Sequence, residues 1–261
     1  MFMSPPRNTF RYTFSWLILA GLLFLPLLLW AAYDFNQRRQ VDPVVAFFTV
    51  LSGLLLAYAW RWTKTRVTLH DEGISYKSPF REKDLRWEEI TETRYGQQPI
   101  NAGVHFGLIG WLIASMASSN NKMIRSFEII GSQKITVNSN TRDVEEIVRL
   151  VLTAVNPRLR QDAERILNSG GTVAFGKISL SPGGVIWKSK EPIPYGALVK
   201  CKIDGSILRI KAEGKWLDNV AVAAKKVPNI FVLLDLIEAK RTAMTGKPAL
   251  AMAGSSANQY L

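Results

Sequence analysis

The sequence predicts an α+β protein: an N-terminal transmembrane helical hairpin, then two copies of one β-rich domain, each closed by a C-terminal helix. The first copy carries a helical apolar insertion. Three observations predict this. Two uncharged stretches, residues 12–33 and 43–60, stand near the N-terminus. The stretch TLHDEGISYKS, residues 68–78, recurs without a gap as SLSPGGVIWKS, residues 179–189. Two stretches with apolar residues at helical spacing, 143–155 and 229–240, end the two copies.

Length and composition bound the answer. A chain of 261 residues has room for one to three units. Lys+Arg 33 against Asp+Glu 21 gives a net charge of +12, which favours acidic partners such as anionic lipid. No nucleic-acid motif is present, so nucleic acid is not an expected partner. The single cysteine, Cys201, excludes an intrachain disulfide. With only His70 and His105 beside it, neither a metal site nor a bound cofactor is expected.

Residues 1–66 form the expected membrane hairpin, with spans over about 12–33 and 43–60. A helix rises 1.5 Å per residue, so about 20 apolar residues cross a hydrocarbon core. Trp16 and Trp30 lie near the ends of the first stretch, and Tyr58, Trp60 and Trp62 end the second, as an interfacial belt requires. A cleaved signal peptide is the alternative for the first stretch, but residues 29–33, LWAAY, lack the small-x-small cleavage pattern. Arg7, Arg11, Arg61, Lys64 and Arg66 flank the hairpin, against Arg38 and Arg39 in its loop. That bias places both termini in the cytoplasm of a multi-pass protein of the cell (plasma or inner) membrane.

The first repeat spans residues 67–156. Residues 66–69 read as a strand, His70-Asp71-Glu72-Gly73 as a turn, and Ile74-Ser75-Tyr76-Lys77 as the returning strand. Residues 83–87 alternate again, residues 126–130 and 134–137 flank Gly131-Ser132, and a helix closes the set with Thr141 as its cap. Antiparallel strands closed by one helix is the layout of a pleckstrin-homology-like (PH-like) barrel. The pattern TLHDEGISYKS…LRWEEI resembles bacterial PH-like families, and its tandem use behind membrane helices resembles an uncharacterised bacterial membrane-protein family with tandem PH-like domains. The resemblance covers about residues 67–239. It implies a PH-like fold and brings neither catalytic residues nor a ligand.

The two repeats differ by an insertion. Matching Trp87 to Tyr195 and Gly131-Ser132 to Gly205-Ser206 leaves extra residues in the first copy, at about 95–122, with no Asp, Glu, Lys or Arg from 95 to 121. Its core is short for a third span, which would also divide one barrel across the membrane. As a helix it sets Gly103, Gly107, Gly110 and Ala114 on one face, where small residues admit a neighbouring helix, and Trp111 on another. These are candidate contacts to membrane or to another subunit. A brace buried between the domains and a Gly-rich loop are the alternatives.

A connector helix over 157–170 begins near Pro157. The second repeat follows over 171–242, and 243–261 is a small, polar, disordered tail. Gly171-x4-Gly176-Lys177 imitates a phosphate-binding loop, but Ile178 replaces the required Ser or Thr and no helix follows. No catalytic constellation is present, so no enzyme is expected. The basic hairpin loops are the remaining candidates. Lys77, Arg81 and Lys83 in the first repeat, and Lys188 and Lys190 in the second, are of the type that PH-like folds use for lipid headgroups. The expected function is a non-enzymatic, membrane-anchored interaction or assembly module, with a protein partner or further copies of itself. The alternative is binding or handling of anionic lipid.

Overall fold

The computed structural model describes residues 5–11, 16–38, 42–62, 64–99, 123–138, 141–188, 190–214 and 217–246. It is a mixed α+β structure whose strands fall into four antiparallel sheets. The chain divides into two compact units. One holds Met1–Arg86 with Asn140–Asp143, and the other Trp87–Ser139 with Val144–Leu261.

In the first unit, α1 (Trp16–Arg38) and α2 (Pro43–Trp62) pair antiparallel. Contacts step outwards from the connection: the Asp42 amide donates to Asp34 Oδ2 at 3.2 Å, and the Thr49 hydroxyl lies 3.5 Å from the Leu27 carbonyl. Gly53 faces the Phe24 ring, which a Cβ there would approach to 3.2 Å. Asp42 caps α2, its Oδ1 accepting from the Val44 amide at 2.8 Å, and Pro43 fills the first helical position.

The transmembrane hairpin expected for residues 12–33 and 43–60 is corrected here. Among the described residues, no helix is long and apolar enough to cross a membrane. The multi-pass placement in a cell membrane and the cytoplasmic termini fall with it. The sequence reading counted residues 12–33 and 43–60 as two apolar stretches of spanning length, whereas a span needs about 20 predominantly apolar residues in one helix. The first helix includes Pro26 and runs on through Asp34, Asn36 and Gln37 to Arg38. The second carries Thr49, Ser52 and Gly53 mid-length and Arg61 in its last turn.

The same unit contains a four-stranded sheet in sequence order: β1 (Asn8–Arg11), β2 (Arg66–Leu69), β3 (Gly73–Lys77) and β4 (Glu82–Arg86). The expected hairpin is β2–β3, with Leu69 opposite Ile74 and Val67 opposite Tyr76. One face buries Phe10, Val67, Leu69, Ile74 and Leu85. β1 was not expected. Of its four residues only Arg11 enters the sequence reading, as a charge flanking the hairpin, yet Phe10 is buried on this sheet.

The second unit has three sheets of three strands. They are β5 (Glu92–Pro99), β6 (Met123–Ile130) and β7 (Lys134–Asn138); β8 (Val173–Phe175), β9 (Ile178–Ser181) and β10 (Gly184–Trp187); and β11 (Leu198–Asp204), β12 (Ile207–Ala212) and β13 (Val220–Ala223). The repeat is visible in register. Leu180 opposes Val185 and Ile178 opposes Trp187 across β9–β10, as their counterparts do across β2–β3. A 3-10 turn precedes the next strands in each copy, at Trp87–Glu89 and Tyr195–Ala197.

From there the order of elements corrects the sequence alignment. β5, β6 and β7 correspond to β11, β12 and β13, so the Gly205-Ser206 turn corresponds to the 100–122 connection and not to Gly131-Ser132. Residues 95–99 belong to β5 and pair with β6 out to Pro99 opposite Met123. The insertion residues Gly103, Gly107, Gly110, Trp111 and Ala114 lie outside the described residues, as do residues 247–261 of the expected tail.

Two helices complete this unit. α3 (Val144–Asn168) is a single helix that runs through Pro157, where the sequence reading ended one helix and began another. Buried residues continue on both sides of the proline, from Ile147, Val151 and Val155 to Ala163 and Leu167, drifting round the helix by about 40° every four residues. Packing of these residues holds the helix together despite the lost backbone bond. Arg158, one residue on, donates to the carbonyls of Trp87 and Ile90. α4 (Ile230–Thr245) buries Ile230 to Leu234 continuously and ends at Gly246 in the left-handed region.

The core of the second repeat holds two ionisable groups whose burial has consequences. Burial pushes the Tyr195 phenol up to about 12 from 10.0. Burial first, and the Glu238 carboxylate second, push the Cys201 thiol up to about 12 from 9.0. The Tyr195 hydroxyl donates to the Ser181 carbonyl at 2.7 Å. Both folded values lie above the unfolded ones, so the stability these neutral groups contribute is fully present below pH 9. It is lost as pH rises toward 12. The expected result is a Cys201 thiol silent to a disulfide reagent at pH 8 in the folded chain and titrated at one equivalent in denaturant, with unfolding by circular dichroism above pH 10. Rapid labelling without denaturant would contradict the buried placement.

Candidate functional site

Of the five basic residues singled out in the sequence, the structure groups some and separates others. Alternation along the sheet decides this in the first unit. Lys77 on β3 pairs with Glu82, while Lys83 pairs with Tyr76, one position along, and so points to the opposite face. Arg81 sits in the β3–β4 turn, where its carbonyl accepts from the Ser78 amide at 2.8 Å and from the Ser78 hydroxyl at 3.0 Å. The three do not form one site.

Lys77 instead lines a cleft of about 980 Å³ within the first unit. Its other basic lining residues are Arg11, Arg61, Lys64 and Arg66, with Tyr58 and Trp60 from α2 as aromatic walls. Arg61 stacks on the exposed Phe80 ring at 4.9 Å and donates to the Pro79 carbonyl at 3.4 Å. The Lys64 ammonium lies 4.4 Å from the Trp60 ring centroid. Lys77 Nζ is 2.9 Å from Glu82 Oε2. Four of the five cations were read in the sequence as flanks of a membrane helix. One signal for the cleft was available: a hairpin pairing Leu69 with Ile74 also pairs Arg66 with Lys77.

In the second unit, Lys188 and Lys190 do come together, and Lys177 joins them around a shallow depression of about 650 Å³. Lys188 adopts φ 51°, its amide donates to the Lys177 carbonyl at 3.2 Å, and its ammonium lies 5.1 Å from the Trp187 ring. Gly176-Lys177 is the tight turn between β8 and β9, with Gly176 at φ 70°, and opens no helix. A phosphate-binding loop is therefore not formed there.

Among the described residues, no group of three or more His, Cys, Asp or Glu side chains could hold a metal ion. The groups with the largest pKa displacement, Tyr195 and Cys201, are in the core and line neither basic cleft.

The third surface feature is the hairpin. Outward from the α1–α2 contact, Leu25, Leu29 and Phe35 are exposed on α1, and Phe47, Leu51, Leu54 and Tyr58 on α2. The α2 residues recur at spacings of three and four, so they form one stripe.

Comparison with curated proteins and with solved structures yields no match to either. The profile of a family described only as a family of unknown function (DUF6585) matches residues 5–245, most of the chain, and to that family the protein belongs.

Proposed function

We propose that the protein is a non-enzymatic assembly module whose helical hairpin pairs with the hairpin of a second copy. The exposed stripe supports this reading. Phe47 is 63% and Leu54 64% exposed on α2, beside Leu25 at 59% and Leu29 at 61% on α1. A helix that is apolar on its outer as well as its inner face has to be covered. Two antiparallel helices are half of a four-helix bundle, and a two-fold axis presents the same stripe to itself. The two β-rich repeats, each read as a PH-like unit, would then be carried in pairs on one helical stem. The common register of their hairpins supports reading the two repeats as copies of one unit.

The test is sedimentation equilibrium of the full chain over a range of concentrations. The expected result is a dimer that the double substitution Phe47→Glu, Leu54→Glu converts to monomer with an unchanged circular dichroism spectrum. A monomeric parent chain, or a dimer indifferent to the substitutions, would sink the proposal.

A further inference from the structure

Arg11, Arg66 and Lys77 stand side by side on three adjacent strands. Arg11 opposes Arg66 across β1–β2, and Arg66 opposes Lys77 across β2–β3. Directly paired residues share a face, and neighbouring strands are about 4.8 Å apart, so three cations fall within about 10 Å. Glu82, opposite Lys77 at the end of the row, supplies its one carboxylate. Among the described residues, no carboxylate lies within ion-pair distance of Arg11 or Arg66. Like charges facing each other across a sheet are destabilising, so folding alone gives no reason for this row. Arg61 and Lys64 differ in this respect: Arg61 lies in the last turn of α2 and Lys64 just beyond it, where cations oppose the helix dipole. They nonetheless line the same cleft and add to its field.

From this juxtaposition we infer that the first unit binds a phosphate-bearing anion in the cleft, gripped by the Arg11–Arg66–Lys77 row and enclosed by Arg61 and Lys64. A guanidinium matches the oxygens of phosphate in a bidentate manner, and two guanidiniums side by side offer this twice. The cleft, at about 980 Å³, is large enough for an organic phosphate as well as the bare ion. Tyr58 and Trp60 on its wall would meet the ligand's non-phosphate part. The inference is carried by the sheet row, which hairpin pairing does not use; the two share only Tyr58.

The experiment is titration calorimetry on the full chain at low salt with three probes: inorganic pyrophosphate, monomeric dihexanoyl phosphatidate, and polyglutamate of similar total charge. Binding of both phosphates equally indicates recognition of the phosphate alone; tighter binding of the phosphatidate indicates a headgroup with its apolar neighbour. Either supports the site. Arg66→Gln is expected to weaken phosphate binding about tenfold or more, as loss of a charged hydrogen bond would. It should leave the thermal midpoint unchanged or raised, because a like-charge neighbour is removed, and Arg11→Gln should behave in the same way. A purely structural row would instead lower the midpoint in both variants, which would overturn the inference. So would polyglutamate binding as tightly as pyrophosphate, or phosphate binding indifferent to Arg66→Gln and Arg11→Gln.

Discussion

Gly184→Ala is expected to unfold the β9–β10 hairpin of the second repeat, with a loss on the order of 3 kcal/mol or more. A Cβ at this position would lie 2.1 Å from the Ile193 carbonyl oxygen, 2.6 Å from its carbon and 3.1 Å from Pro194 Cα. All three are backbone atoms, so no side-chain rotation relieves the contact. The same carbonyl accepts from the Val185 amide at 2.9 Å, and the Ile193 amide returns a bond to Val185 at 2.8 Å. Making room for the methyl group breaks that bridge, and Val185 and Tyr195, both fully buried, lose their seating. The adjacent glycine is the control. A Cβ at Gly183 would meet only the Ser181 hydroxyl, at 4.0 Å. Gly183→Ala should therefore shift the urea midpoint little, and equal midpoints for the two variants would refute the steric account.

That hairpin was legible in the sequence because its signal is local. Leu69, Ile74 and Tyr76, like Leu180, Val185 and Trp187, alternate around a turn, and the alternation fixes both the pairing and the buried face. Non-local features were not legible. β1 is too short to show a period, and its place beside β2 depends on a chain return through two helices. The passage of α3 through Pro157 depends on the buried row that spans it, and proline in a sequence reads as a boundary. The insertion was found but matched to the wrong turn, because Gly-Ser occurs in both the β6–β7 and β11–β12 connections while only the order of strands distinguishes them.

The candidate site divides in the same way. Lys77 was singled out for its place in the hairpin, and Arg66 could have been, by counting back from Leu69 opposite Ile74. Arg11 could not, since its strand was unseen. Arg61 and Lys64 were noticed only as charges flanking an uncharged stretch. Grouping Lys83 with Lys77 overlooked the pleat, which sends residues one register position apart on paired strands to opposite faces. The hairpin's polar interruptions were visible as residues, but their weight was not. Asp34, where the sequence reading begins the connection, lies inside α1, buried, with its carboxylate accepting from the Asp42 amide.

Asn229→Ala is the second large effect expected, about 2–4 kcal/mol. Asn229 precedes α4 and sits at φ 50°, ψ 41°, a left-handed conformation that asparagine tolerates and alanine does not. Its side chain and backbone act as a short strand edge for β5. Oδ1 accepts from the Thr93 amide at 2.7 Å, Nδ2 donates to the Thr91 carbonyl at 3.0 Å, and the Asn229 amide donates to the Thr93 carbonyl at 2.8 Å. Thr93 is 2% exposed, so its amide has no water to turn to when the acceptor goes. The two contributions separate experimentally. Asn229→Gly relieves the backbone strain but still strips the Thr93 amide, and Asn229→Asp keeps that acceptor while removing the donor to Thr91. Urea unfolding should rank Ala as the least stable of the three, and amide exchange at Thr93 should quicken in Ala and Gly but not in Asp. Equal exchange in all three would mean that β5 is held by its pairing with β6 alone. The aromatic contact of Tyr95 with Phe231, at 5.5 Å between rings, lies just beyond this clamp. A loosened Asn229 should therefore be felt first there, where the strand of one repeat meets the closing helix of the other.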